Sequence, residues 1–288
     1  MEICAIILDY RGALKTEACL KSLVSEGINT VLVVDNSADV QSSQQLDDAL
    51  SRLSSNGIDY RLHILKPGDN LGFAGGVNFA LAHAAGMHCD TILLLNNDAS
   101  VMRGALLKLS NALTEDATSL VGPAIVDDDG IAQPMLWYQR FFGIQSKRVI
   151  PGAFPYLSGC CLLFRRQLLD AGKLLDETFF MYGEDTLLGW RMHVAQNPVK
   201  LVESAVVRHT GQNPAQQCTM FYEYQMARAH LLLATKTYRY RMEIPLLLFT
   251  KFFGLMLRAI LRSLRYRKAT PFLALLLAWM PLNIRKSV

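Results

Sequence analysis

The sequence predicts an α/β fold, a mainly parallel sheet flanked by helices, followed by a C-terminal amphipathic helical segment. Strand-like runs at residues 3–8, 31–34, 60–65 and 91–95 alternate with stretches of helical spacing, which is the pattern of βαβ units. The run at 91–95 is continuously apolar or β-branched, as in a strand buried on both faces, and it stops at Asn96-Asn97-Asp98. Ligands of such sheets gather at the carboxyl ends of strands, which would place Asp98 at the mouth of a site; a plain strand-to-loop turn explains the same residues as well. The tail stands apart in charge. From Arg228 onward there are 12 Lys/Arg against one acid, Glu243, whereas the preceding part carries 17 against 24.

Each element follows from local pattern. Residues 3–8 form the first strand; Glu2 before it and Asp9 and Arg11 after it make the run too short for a signal peptide. Asp9-Tyr10-Arg11-Gly12 is its loop. A helix over 16–26 carries Ala18, Leu20, Leu23 and Val24 at helical spacing and is closed by Gly27. The second strand ends at Asp35-Asn36-Ser37, and a polar helix over 44–53 leads to the third. Next comes Gly68-Asp69-Asn70-Leu71-Gly72-Phe73-Ala74-Gly75-Gly76-Val77-Asn78, ahead of a helix over 79–85. Its glycines let backbone approach a ligand, and a helix start favours an anion. The spacing is neither a dinucleotide fingerprint nor a P-loop, and a flexible turn explains it equally well.

Beyond Asp98 the pattern gives a helix over 104–113 and a strand over 120–126. Residues 127–153 read as a long loop or small excursion near the site, the kind of element that covers a substrate, with Asp127-Asp128-Asp129 as an exposed turn. Residues 156–164 are strand-like and 165–171 helical. Phe179-Phe180-Met181-Tyr182-Gly183-Glu184-Asp185 then precedes a helix through Trp190 and Arg191 to Val194. Acids at a helix start complement its dipole, and a carboxylate beside apolar rings can also have its pKa raised toward that of a working base. The last strand, 201–207, ends at Arg208-His209-Thr210-Gly211.

Six cysteines without metal spacing, mostly in apolar surroundings, point to a reducing compartment. On a helical wheel Lys251, Arg258, Arg262 and Arg265 fall in one stripe, opposite Phe253, Leu257, Ile260 and Leu264. This predicts a helix lying on a membrane, apolar side in lipid and cations at the headgroups, with a helix packed on the core and a solvated basic face as the alternative; the large apolar face argues against nucleic acid. The stretch from Pro271 to Pro281 is apolar but too short to span a bilayer.

Four stretches in fixed order carry a resemblance: Val33-Val34-Asp35-Asn36-Ser37; Asn70 through Asn78; Leu95-Asn96-Asn97-Asp98; and Phe180-Met181-Tyr182-Gly183-Glu184-Asp185 with Trp190-Arg191 and His209. Over residues 1–235 the chain resembles the family 2 glycosyltransferases, rhamnosyltransferase-like branch, leaving 236–288 as a basic, apolar, membrane-associating tail. The resemblance implies a Rossmann-like GT-A fold and inverting transfer of a sugar from a nucleoside-diphosphate donor, such as dTDP-rhamnose or a UDP-hexose, to a hydroxyl. It implies a divalent metal, Mn²⁺ or Mg²⁺, held by Asp98 and His209. Asp185 matches the general base, with Glu184 beside it toward acceptor or sugar. Asp35, Asn70, Gly72, Gly75, Gly76, Asn78, Asn96, Asn97 and Arg191 fall where the family contacts the nucleotide-sugar.

The chemistry asks for these residue types, since a metal on a hard carboxylate neutralises a diphosphate leaving group and one-step inversion needs a base on the opposite face. The expected acceptor is a polyprenol-linked glycan in cell-surface polysaccharide assembly, and the expected location the cytoplasmic face of the plasma membrane; a homo-oligomer is also allowed. Three positions depart from the pattern: Asn96 for the first acid of DxD, Arg11 for Asn, and Leu187 for a second acid in the helix. Asn96 and Leu187 keep open an alternative, a non-catalytic nucleotide-binding scaffold of a membrane assembly.

Overall fold

The computed structural model describes residues 2–55, 57–115, 118–210 and 218–280. Gly211, expected in the loop after His209, and the tail from Pro281 lie outside them.

Four strands, β1 (Ile3–Asp9), β2 (Thr30–Asp35), β3 (Arg61–Leu65) and β4 (Thr91–Asn96), pair in parallel in the order β3–β2–β1–β4. Period-two alternation divides β1 between two cores. Ile3, Ala5 and Ile7 pack on one face with Leu20 of α1 (Ala13–Ser22) and Leu46 and Leu50 of α2 (Val40–Ser55). Cys4 and Ile6 pack on the other with Ala74, Val77 and Leu81 of α3 (Gly72–Ala84).

Past β4 the sheet becomes mixed rather than mainly parallel. β5 (Ala99–Val101), α4 (Ala105–Glu115) and β6 (Leu120–Val126) follow in the chain, then β7 (Ala132–Gln133), β8 (Leu136–Gln139), β9 (Ile144–Ser146), β10 (Ala153–Tyr156), β11 (Cys161–Arg165), α5 (Glu184–Val194) and β12 (Val199–His209). The sheet order continues β4–β11–β6–β12–β5, with β11 antiparallel to both neighbours and β12 parallel to β6 but antiparallel to β5.

Three local expectations need correction. The helix expected at 79–85 starts at Gly72, so Gly75 and Gly76 lie inside its first turns. The expected strand 156–164 is two strands, β10 and β11, separated by a turn, and 165–171 holds only a short 3₁₀ turn, Arg166–Leu168. The expected substrate-covering loop 127–153 instead contributes β7 to the main sheet and, with β10, forms a small sheet ordered β10–β8–β9. Tyr138 and Phe154 of that sheet are fully buried against Trp190 of α5 and Leu233 of α6 (Met220–Lys236).

The tail differs most from expectation. In α7 (Ile244–Tyr266) three of the four stripe cations, Lys251, Arg258 and Arg262, face inward, and Arg265 stays exposed. Lys251 is 0% exposed and donates from Nζ to Tyr138 Oη at 2.7 Å. Arg258 Nη1 and Arg262 Nε reach the buried Glu223 of α6 at 2.7 and 2.6 Å. The wheel separates two faces correctly, but an acid buried on the neighbouring helix, which the wheel does not contain, draws the cations in. Phe249, Phe253, Leu257, Leu261 and Leu264 are left pointing outward. The short α8 (Thr270–Ala278) packs on α6 and α7 through Ala274, Leu275 and Ala278. Arg140, between β8 and β9, clamps the start of α7 through Glu243 at 2.6 Å.

Candidate active site

The carboxyl ends of β1, β2 and β4 meet the start of α3 around a cavity of 220 Å³. Asn36, Asn70, Gly72, Asn96, Asn97 and Asp98 line it from the sheet side, and Phe180, Met181 and Phe221 from the other. A larger cleft of 1070 Å³ shares Tyr10, Asn70 and Phe180 with it and runs along α3 past Gly75 and Asn78.

Strand register brings Asp98 to His209. β12 runs antiparallel to β5 with His209 opposite Ala99, so the imidazole arrives beside the preceding residue. His209 Nε2 lies 3.0 Å from Asp98 Oδ1, and Thr210 N donates to Asp98 O at 3.1 Å. Burial pushes the Asp98 carboxyl up, but His209 and the charge of Lys15 outweigh it and hold it below its ordinary range. The bond to Asp98 raises His209, against desolvation. Among the described residues no three His, Cys, Asp or Glu side chains come together as a metal cage. A carboxylate with an imidazole nevertheless fits Mg²⁺ or Mn²⁺ whose remaining ligands are diphosphate oxygens and water.

Asp185 reaches the same region through one loop. Its Oδ2 accepts from Gly159 N at 3.3 Å, while Cys160 O accepts from Asn96 N at 2.8 Å. The turn between β10 and β11 therefore joins the base candidate to the end of β4, and a Cβ on Gly159 would touch both Asp185 and cavity-lining Phe73. Burial raises the Asp185 carboxyl, and hydrogen bonds from Gly159 N and from Thr186 N and Oγ1 pull it back. Tyr182 (φ +68°) and Gly183 (φ +90°) are both left-handed, which turns the chain sharply into α5. For tyrosine that conformation is strained, and packing of its ring on Tyr222 of α6, centroids 5.5 Å apart, accompanies it.

Glu184 behaves differently. Neither acid lines the cavity, but Glu184 is only 7% exposed and its Oε2 has no hydrogen-bond partner. Burial, then the Asp185 charge, pushes its carboxyl up to about 8, so it is mostly neutral at pH 7.

Several of the residues expected at the donor also brace the scaffold. Asn78 accepts from Leu174 N and Leu175 N and donates to Leu175 O and Glu177, which fastens α3 to the 174–177 turn. Asn97 donates to Asp9 Oδ1 and Thr16 Oγ1. Arg191 lies 3.5 Å from Asp176, away from both cavities. Asp35 is buried and accepts from Ser37 N, shaping the end of β2. Gly76 lets α3 approach β1, since a Cβ there would stand 2.6 Å from Leu8 Cδ2. Gly72 needs both its positive φ and its missing side chain, because a Cβ would fall 2.4 Å from Phe180 O.

Asn36 was missed by motif reading although it sits in a quoted stretch. Its side chain donates to Asn70 Oδ1 and Gly72 O and accepts from Leu71 N, so it holds the glycine turn. Phe221 and Tyr222 were missed as well, because α6 carries no motif.

A parallel half-sheet with a carboxylate and an imidazole at its strand ends, continued by a mixed half, is the GT-A arrangement of glycosyltransferases. A mannosyltransferase from Pyrobaculum calidifontis, solved with GDP-Man and Mn²⁺, superposes with a TM-score of 0.60 over 96% of this chain and 85% of its own, at 15% identity. Residues 4–172 match the profile of glycosyl transferase family 2, and the chain belongs to that family. The low-salt glycan biosynthesis hexosyltransferase Agl10 of Haloferax volcanii is 24% identical over 237 residues, 78% of this chain and 72% of Agl10. An N-acetylglucosaminyl-diphospho-decaprenol L-rhamnosyltransferase of Mycobacterium tuberculosis is 28% identical over 230 residues, 67% of this chain and 72% of its own length. The likeness to the rhamnosyltransferase-like branch is as the motifs imply.

Proposed function

We propose that this glycosyltransferase moves a hexosyl or deoxyhexosyl group, with inversion, from a nucleoside-diphosphate sugar to a hydroxyl of a lipid-linked glycan at the cytoplasmic face of the plasma membrane. The observation that carries the reading is the single turn, residues 158–160, linking Asp185 to the strand end that bears Asp98. A base one turn away from the strand end that carries a diphosphate-binding carboxylate is what single displacement at a sugar carbon requires.

The larger cleft suits the nucleoside and the smaller cavity the sugar and diphosphate. Asp98 and His209 would hold Mn²⁺ or Mg²⁺, whose chemistry is to neutralise charge growing on the diphosphate. Asp185 accepts the proton of the acceptor hydroxyl, and its raised pKa makes it a better acceptor than an exposed carboxylate. Glu184, neutral and buried, keeps a second negative charge away from the base. Asn36 and Asn70 hold the glycine turn over the donor, while Phe180 and Phe221 exclude water. The names of the relatives and the GDP-Man and Mn²⁺ of the Pyrobaculum enzyme support donor, metal and acceptor class.

Membrane association follows from α7 and α8. Residues 241–266 form a helix long and apolar enough to cross a bilayer, yet one side of it is packed on α6 and buries Lys251. Such a helix lies along the surface with its bare side in lipid. A panel of dTDP-, UDP- and GDP-sugars tests the donor reading by thermal shift with Mn²⁺. One class should raise Tm in a concentration-dependent way, and no shift with any would count against it.

A further inference from the structure

Lys15 lies in the first turn of α1, outside every motif, and its side chain is 55% exposed. Its position is tightly determined. Thr16 Oγ1 donates to the fully buried Asp9 at 2.5 Å, and Asn97 Nδ2 donates to Thr16 Oγ1 at 3.0 Å and to Asp9 Oδ1 at 3.3 Å. A Cβ on Gly12 would come within 2.7 Å of Asn97 Nδ2, so the start of α1 can sit this close only with glycine there. The Asp9–Thr16–Asn97 lock fixes α1 against the end of β4 and sets Lys15 Nζ 4.0 Å from Asp98 Oδ2. His209 approaches the other oxygen, so two basic groups from separate elements bracket one carboxylate. No lysine or arginine lines the cavity itself, where Asp98 is the one ionisable acid among the described residues. A diphosphate entering there meets a negative charge, and Lys15 at the rim is positioned to answer it.

We propose that Lys15 is an exchangeable cation of the donor site: it neutralises Asp98 in the present conformation and turns to a diphosphate oxygen when a divalent cation takes the carboxylate. This rests on the reading of the cavity as a site for a nucleoside-diphosphate donor. The ammonium is a point charge on a flexible four-carbon stem, suited to moving between two partners a few ångströms apart. Asn96, neutral where an acid is usual, makes the exchange more useful, because Asp98 alone cannot offset both the metal and Lys15.

The test uses Lys15→Met and Lys15→Arg in the full chain, with Mn²⁺ alone and then whichever of UDP, dTDP and GDP the wild type binds, read by calorimetry. Removing a competing charge should tighten Mn²⁺ binding without nucleotide by roughly two- to tenfold, as expected for a screened unit charge about 4 Å away. The same Lys15→Met change should weaken nucleoside-diphosphate binding by about tenfold, the scale of one charge-assisted hydrogen bond, and Lys15→Arg should restore it. Nucleotide affinity within twofold of wild type in Lys15→Met, or weaker Mn²⁺ binding, overturns the proposal while leaving the donor reading intact. A wild-type chain that binds none of UDP, dTDP and GDP, with or without Mn²⁺, overturns the donor reading and this proposal together.

Discussion

Glu184 and Asp185 are adjacent carboxyls in one helix turn, and their surroundings separate them. Asp185 accepts three hydrogen bonds, from Gly159 N and from Thr186 N and Oγ1. Glu184 has an unpartnered oxygen in an apolar setting and keeps its proton up to about pH 8. The sign of the consequence is fixed: the folded value lies above the unfolded one, about 4.3, so the stability due to the neutral acid is present below that value and lost as pH rises through 8. Glu184→Gln removes the loss. Its Tm advantage over the wild type should grow between pH 5 and pH 8, measured by differential scanning calorimetry, and a pH-independent difference would contradict a neutral Glu184. Residue-level reading of the sequence singles out Asp185, Asp98 and His209 because each ends or begins an element of clear period, and the structure brings Asp98 and His209 together. It could not show that the side chains of Asn78, Asn97 and Arg191 also bond within the protein, because a motif records residue type and not where the side chain points.

At the scale of elements, the parallel strands β1, β2 and β4 were legible because continuous apolar runs bounded by polar turns have few other interpretations. β5 was not. It is three residues long, and the partner that makes it a strand, His209 with its neighbours, lies over a hundred positions away. The small sheet of β8, β9 and β10 was hidden for the same reason, its strands being too short to show a period. In α7 the two faces were legible and their direction was not, since that depends on Glu223. Arg258 and Arg262 are held by this one acid, which is fully buried. Glu223→Ala leaves both cations without it and should destabilise the chain by about 3 kcal/mol or more. Replacing Glu223, Arg258 and Arg262 together by Met should recover most of that loss. Chemical denaturation of the two variants decides the matter, and a silent Glu223→Ala would contradict the inward-facing stripe.

Across the whole molecule, α6 links the bare apolar face to the chemistry. Its Phe221 lines the cavity, its Tyr222 packs on the strained Tyr182, and its Glu223 anchors α7. A membrane under α7 and α8 would therefore lie one helix away from the site, where the proposed lipid-linked acceptor would arrive. Because three cations of α7 are folded inward, attachment should depend on apolar insertion more than on headgroup charge. Sedimentation with phosphatidylglycerol-containing vesicles should survive 0.5 M salt, a concentration that screens surface charge to about 4 Å, and should be lost in Phe253→Glu with Leu257→Glu. Release by salt alone would show the attachment to be electrostatic.

The account turns on Asp185 as the base acting on a donor held near Asp98. The most direct measurement compares wild type and Asp185→Asn with the nucleotide-sugar that binds best, recording donor affinity and sugar transfer on the same preparations. Asp185→Asn should bind the donor within about threefold of wild type and transfer sugar roughly a hundred- to ten-thousandfold more slowly, the usual contribution of a general base. Turnover at the wild-type rate in that variant would contradict the account.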